Sequence, residues 1–313
     1  MSTLLLTHPC FVGHDTGAGH PERPDRMRAI TKALERKEYS DLLREEAPLR
    51  DDVEMQIALA HPRELIDALK DARPGAGQTI HIDGDTVMSA GTWEAAMRAV
   101  GAGLRGVDAV MDKQSGVRNV FCQVRPPGHH AETRRPMGFC LFNSIAIAAL
   151  YAQAKHGAER VAVIDFDVHH GNGTQDIFWS AKDLLYASTH QMPLYPGTGA
   201  LSERGGGNIW NAPLRPNDGG EQFRDAFESR ILPALHNFAP DLVLISAGFD
   251  AHADDPLANL RLQEPDFGWA TEALLKVADV HAGGRLVSML EGGYDLNALA
   301  RSVAVHVTKL MGA

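Results

Sequence analysis

The sequence predicts an α/β fold: one domain built on a central, mainly parallel β-sheet with helices on both faces. Three observations carry this expectation. Five short apolar runs rich in β-branched residues recur along the chain, helical patterns separate most of them, and each run gives way to a polar cluster. Strand, helix, strand alternation builds a parallel sheet, because the crossover back to the same edge is normally helical and packs onto a face.

The expected strands are Val117 to Val124, Val161 to Phe166, Leu184 to Ser188, Leu242 to Ser246 and Leu286 to Leu290. Their nearly continuous apolar character fits strands buried on both faces. Thr92 to Met111, Ser144 to His156, Glu221 to Phe238 and Asp266 to His281 place apolar residues three and four apart, with Gly or Pro near their ends, and read as helices. No repeat or low-complexity tract divides the 313 residues, and the best break, Arg73 to Gln78, is short. Residues 1–313 are therefore expected to form a single domain.

A formal charge of −10 disfavours a broad grip on nucleic acid, which needs a basic face to replace phosphate counterions. The stretch from Met1 to His8 lacks the basic flank and long apolar core of a secretory signal, and no later segment has the length to span a bilayer. The expectation is a cytoplasmic protein with neither nucleic acid nor membrane as partner; homo-oligomerisation is left open. Cys10, Cys122 and Cys140 are odd in number and lack paired metal spacing, so they read as buried small hydrophobes.

The residues just beyond each strand carry the chemistry. Val124 leads into Arg125-Pro126-Pro127-Gly128-His129-His130, Ile164 into Asp165-Phe166-Asp167-Val168-His169, and Ser188 into Thr189-His190. Ser246 leads into Ala247-Gly248-Phe249-Asp250 and then Asp254-Asp255-Pro256, while Leu290 leads into Glu291-Gly292-Gly293-Tyr294. Ligands of open parallel sheets gather beyond the carboxyl ends of the strands, where these clusters converge.

Asp165, Asp167 and His169 lie two residues apart, which on an extended strand puts them on one face. Asp167 and His169 can then chelate one ion, with Asp255 completing a set of one nitrogen and two carboxylates suited to catalytic zinc or iron(II). A lone Asp-x-His pair is ordinarily a hydrogen-bonded ion pair. Three buried charges beside glycines, however, favour ligation, because uncompensated burial of charge is costly. The tandem His129-His130 sits in a loop stiffened by two prolines and is a candidate for proton transfer, although surface histidines are the plain alternative. Tyr294, after two glycines, is placed to donate a hydrogen bond to a developing oxyanion.

These motifs resemble the arginase/deacetylase superfamily, specifically the class II-like histone deacetylase family with its bacterial amidohydrolase members. The resemblance runs from His20-Pro21-Glu22-Arg23-Pro24 through Asp85-Thr86, Arg125 to His130, Gly138 to Asn143 and Asp167 to Thr174. It continues through Pro196 to Gly199 and Gly248 to His252 to Glu291-Gly292-Gly293-Tyr294. It implies the arginase/deacetylase fold and one Zn2+ per chain held by Asp167, His169 and Asp255. His129, His130, Tyr294, Asp165 and Asn172 become the catalytic set, with Asp165 behind His129 and Asn172 orienting His130. A structural K+ is implied beside Asp165 and Ser188. Phe139, Tyr195, Gly138 and Leu257 would line a narrow channel for the methylene stem of an acyl-lysine, with Asp85 at its rim.

The resemblance implies a zinc-dependent deacylase acting on N-acetyl-lysine or a related acylated amine. An acetylpolyamine or small-amide amidohydrolase is the alternative, and Leu257 after Pro256, in place of an acidic gatekeeper, favours acyl-lysine. An arginase-like binuclear enzyme is disfavoured by Gly171, where a bridged metal pair would want a carboxylate. A non-catalytic acyl-lysine binding protein is the last alternative, and the retained Tyr294 argues against it.

Overall fold

The computed structural model describes residues 2–312. In chain order the strands are β1 (Ser2–Thr7), β2 (Leu43–Glu46), β3 (Thr79–His81), β4 (Val87–Ser89), β5 (Val117–Cys122), β6 (Val161–Asp165), β7 (Leu184–Gln191), β8 (Ile209–Leu214), β9 (Leu242–Ala247) and β10 (Leu286–Leu290). The helices are α1 (Asp25–Leu34), α2 (Val53–Ile57), α3 (Arg63–Asp71), α4 (Thr92–Met111), α5 (Ser144–His156), α6 (Asn172–Phe178), α7 (Gly220–Ala226), α8 (Leu232–Phe238), α9 (Glu264–His281) and α10 (Leu296–Met311).

Among the described residues, eight strands form one sheet in the order β2-β1-β5-β10-β9-β6-β7-β8. Every neighbouring pair in it is parallel. The strand period of two shows that both faces are covered. Val120 and Val287 pack against α4 at Gly106, whereas the next residues, Phe121 and Ser288, meet His306 of α10 on the opposite side. Helices α4 and α5 thus cover one face and α9 and α10 the other.

All five expected strands are present, with ends shifted by up to three residues, and α4 and α5 match their expected spans. The segment expected as one helix from Glu221 to Phe238 is α7 and α8 joined through a π-helical turn, Phe227–Ile231. Strands β1, β2 and β8 of this sheet, and the separate pair β3 and β4, lie outside the expected set. The four residues of β2 are all exposed and charged after the first, and β8 carries Asn211 and Pro213 in its run, so neither shows the apolar pattern of a buried strand. Cys122 and Cys140 are buried as expected, but Cys10 is only half-buried.

One expectation needs correcting because it bears on the site. The strand carrying Asp165 does not continue through His169; β6 ends at Asp165. Asp165 Oδ1 accepts from the Asp167 amide at 3.1 Å, and Asp167 Oδ1 accepts from the His169 amide at 2.9 Å. Each aspartate captures the backbone N–H two residues on, which turns the chain instead of extending it.

Candidate active site

The loops after β5, β6, β9 and β10 meet at the carboxyl edge of the sheet, since these strands are adjacent in the order β5-β10-β9-β6. The consecutive turns after β6 bring His169 Nδ1 to 3.1 Å from Asp167 Oδ1 and to 3.1 Å from Asp250 Oδ2. Asp167, His169 and Asp250 are all buried, with potential ligand atoms within 4.8 Å of one another. Asp250 belongs to the Gly248 to His252 motif, where its residue type alone assigns it no role. Asp255, the expected third ligand, lies outside this tight group. Its Oδ2 accepts from the amides of Tyr294 (2.7 Å) and Asp295 (3.3 Å), and its Oδ1 from the Leu257 amide (3.1 Å).

The charges of this cluster act on one another strongly. Burial raises the Asp250 carboxyl to about 7 and the Asp255 carboxyl to about 6, with Asp167 adding to both. His169 rises to about 10, because its bonds to Asp167 and Asp250 outweigh burial. Two carboxylates and an imidazole packed this closely are the donor types a divalent zinc ion takes. The residues therefore fit such an ion.

His129 and His130 follow β5, their ring centroids 4.0 Å apart. His129 Nδ1 lies 3.0 Å from Asp165 Oδ2, which also accepts from the Tyr186 hydroxyl at 3.0 Å. His130 Nδ1 lies 2.8 Å from Asn172 Oδ1. Their environments push the two imidazoles apart. Burial opposes charge on both, but the Asp167, Asp165 and Glu291 carboxylates hold His129 well above the usual range. His130, buried beside His129 and His169, falls well below it. The surroundings thus favour charge on His129 and disfavour it on His130, a division of the kind a paired acid and base needs.

A cavity of about 380 Å3 opens over this centre, lined by His130, His169 and Tyr294 together with Asp85, Gly138, Phe139, Tyr195 and Leu257. All five expected substrate-contacting residues line it. His20, Pro21, Gly84 and Leu194 complete the wall, and nothing in their sequence context points to such contacts. Phe139 has φ 68°, costly for an aromatic residue, and its ring meets Tyr294 at 5.9 Å and His20 at 4.8 Å between centroids. The preceding Gly138 does more than line the cavity, since a Cβ there would fall 2.5 Å from the His130 ring. Gly171 is similarly confined. A Cβ there would come 2.4 Å from Asp165 Oδ2 and 2.6 Å from the Tyr186 hydroxyl, so the backbone leaves no room for a second metal-bridging carboxylate.

Behind the cavity lies a buried ionic group that sequence reasoning does not reach. Glu22 pairs with Arg26 (2.9 Å) and with Arg125 in a two-bond fork. Arg125 also donates to the Phe11 and His14 carbonyls, and Arg26 to the Gly293 and Glu291 carbonyls. In sequence these residues are only parts of motifs, because nothing local announces that they meet.

The histone deacetylase domain model matches residues 20–310. The chain is 42% identical to rice (Oryza sativa subsp. japonica) histone deacetylase 10, chloroplastic, covering 99% of this chain and 73% of that one. It is 39% identical to the histone deacetylase-like amidohydrolase of Pseudomonas aeruginosa, covering 93% and 77% respectively. The crystal structure of the HDA15 HD domain superposes with a TM-score of 0.92 at 36% identity, covering 99% of this chain and 88% of that one.

Proposed function

The chain belongs to the histone deacetylase family, with its arginase/deacetylase fold, and on that premise we propose that it hydrolyses N-acetyl-lysine or a related acylated amine to carboxylate and free amine. Residues 1–313 act as one catalytic domain in this reading. The observation that carries it is the cavity, which has aromatic and aliphatic walls and ends on His130, His169 and Tyr294. Such a channel accommodates a methylene stem while its floor receives the amide.

Asp167, His169 and Asp255 are the proposed zinc ligands, with the carboxylate of Asp250 buried behind them. Bound zinc supplies Lewis acidity to the amide carbonyl and acidifies water. The chain's own groups perform the rest. Neutral His130 accepts the proton of the attacking water at Nε2, and the Tyr294 hydroxyl donates to the oxygen on which negative charge develops. The Asp167, Asp165 and Glu291 carboxylates favour the charged form of His129, which makes it the proposed source of the leaving nitrogen's proton. Water is consumed, the C–N bond breaks, and acid and amine are released.

Asp85 on the cavity wall is the proposed anchor for the substrate backbone, with a structural K+ beside Asp165 and Ser188. Leu257, lining the cavity where an acidic residue would attract a second ammonium, favours acyl-lysine over acetylpolyamine. No helix among the described residues is long and apolar enough to cross a membrane. A cytoplasmic location remains part of the proposal; the rice relative is named chloroplastic. Assay of zinc-loaded protein against acyl-lysine peptides and acetylated polyamines, with and without chelator, tests the whole reading. Chelator-sensitive hydrolysis of the peptides is expected, and no turnover of any acylated amine would overturn it.

A further inference from the structure

We propose that Glu132 is a positioning residue that fixes, through Asn172, which nitrogen of His130 carries the proton. Its catalytic consequence rests on the deacylase reading above; the hydrogen-bond logic does not.

The Asn172 side chain lies between two groups. Its Oδ1 is 2.8 Å from His130 Nδ1, and its Nδ2 donates to Glu132 Oε1 at 2.7 Å and to Met137 Sδ at 3.4 Å. A carboxylate and a thioether only accept, so the amide nitrogen must face them. The amide oxygen then faces His130, and because it too can only accept, Nδ1 must be the protonated nitrogen. A neutral imidazole has one N–H, which leaves Nε2 with its lone pair.

An asparagine alone does not enforce this choice. Turned over, its amide would offer N–H to His130 Nδ1 and select the tautomer protonated at Nε2, which cannot accept a proton there. An aspartate at position 172 would enforce it unaided. Here the carboxylate stands one residue further out, and Asn172 transmits its preference while keeping formal charge away from His130. His130 and Asn172 are 5% exposed, so water offers little alternative partner. Glu132 is anchored by paired backbone bonds with Arg135, at 2.9 and 3.3 Å.

The test uses full-length, zinc-loaded protein labelled with 15N-histidine. Long-range 1H–15N correlation is expected to show His130 with a pyridine-type nitrogen at Nε2, and Glu132→Met is expected to give a mixture of tautomers or a reversed one. Turnover of acyl-lysine peptide should fall about tenfold to a hundredfold in Glu132→Met at little-changed KM, less than the roughly hundred- to ten-thousandfold of a lost general base because part of the population keeps the productive tautomer. Asn172→Asp sets two carboxylates against each other and should also be slow. The double variant Glu132→Gln/Asn172→Asp should recover above Asn172→Asp alone. In it the amide introduced at position 132 can donate to the carboxylate introduced at position 172, whose other oxygen accepts from His130. A merely structural Glu132 gives no such rescue. His130 protonated at Nε2 in the unmodified protein, or an unchanged tautomer and rate in Glu132→Met, overturns the proposal. If the tautomers respond as expected but no acylated amine is ever hydrolysed, the relay stands and the deacylase reading falls.

Discussion

The Arg26 guanidinium lies over the Tyr294 ring, 5.1 Å from its centroid, while its Nε donates to the neighbouring Gly293 carbonyl at 2.7 Å. The segment that presents the tyrosine is thus held from behind by a residue of α1. It is held from ahead by Asp295, which caps α10 by accepting from the Asn297 and Ala298 amides. Tyr294 is clamped by two elements that its own Gly-Gly-Tyr sequence does not reveal.

Replacing Arg26 by methionine removes one of the two cations that compensate buried Glu22. Breaking a buried ionic group from one side costs about 3 to 5 kcal/mol, so urea unfolding should shift by that order. Turnover should drop as well, because the Gly293 and Glu291 carbonyls lose their donor. Unchanged stability would mean that Arg125 alone satisfies Glu22.

Tyr294→Phe removes a hydroxyl and leaves the clamp intact. Loss of one oxyanion donor typically costs about a hundred- to a thousandfold in turnover, with the melting temperature nearly unmoved. Steady-state kinetics beside a thermal melt separate the two readouts. A variant that turns over normally takes Tyr294 out of the chemistry.

The sheet is legible in sequence where strands are buried on both faces, because β6, β9 and β10 read as unbroken apolar runs. Edge strand β2 is not, since an exposed strand has no pattern to distinguish it from loop. In the site, Asp167, His169, His130 and Tyr294 stand out in the sequence because motif chemistry sits at strand ends, whereas the five cavity residues come only from the family resemblance. Asp250, Glu132 and Arg26 are visible as letters of the sequence but not as partners. Their roles arise from contacts between distant loops, such as the 81-residue separation of His169 and Asp250, which spacing along the chain does not encode.

His306 provides a test of acid sensitivity remote from the site. It is buried between Thr271 Oγ1 (2.6 Å) and Ser288 Oγ (2.8 Å), and burial lowers its pKa from 6.5 to about 3. Above pH 6.5 both folded and unfolded forms are neutral and the full stability is present. As the pH falls below that value the unfolded chain takes a proton that the folded chain refuses, so stability is lost progressively towards about pH 3. Between about pH 6.5 and pH 5 this amounts to about 2 kcal/mol. Unfolding free energies at the two pH values should differ less in His306→Gln by that amount. Equal slopes in both proteins would show that His306 is not held neutral.

The identity of the third metal carboxylate can be decided by metal content. Asp255 is 7% exposed and adjoins the cavity through Tyr294 and Leu257, whereas Asp250 is 1% exposed and lies behind His169. A catalytic ion needs a position open to substrate, so Asp255 is the better placed ligand and Asp250, which faces the same His169 Nδ1 as Asp167, a buried charge behind the ligand set. Asp167→Asn and Asp255→Asn should therefore retain little zinc after dialysis, and their melting temperatures should no longer rise with added zinc. Asp250→Asn should keep one zinc per chain at affinity lowered by about tenfold to a hundredfold, the order seen when a group next to the ligands is lost. For the unmodified protein, saturation at about a hundred times Kd is worth about 2.7 kcal/mol, which a thermal melt resolves readily. Should Asp250→Asn lose the ion while Asp255→Asn keeps it, the ligand set is Asp167, His169 and Asp250, and the resemblance assigned the wrong carboxylate.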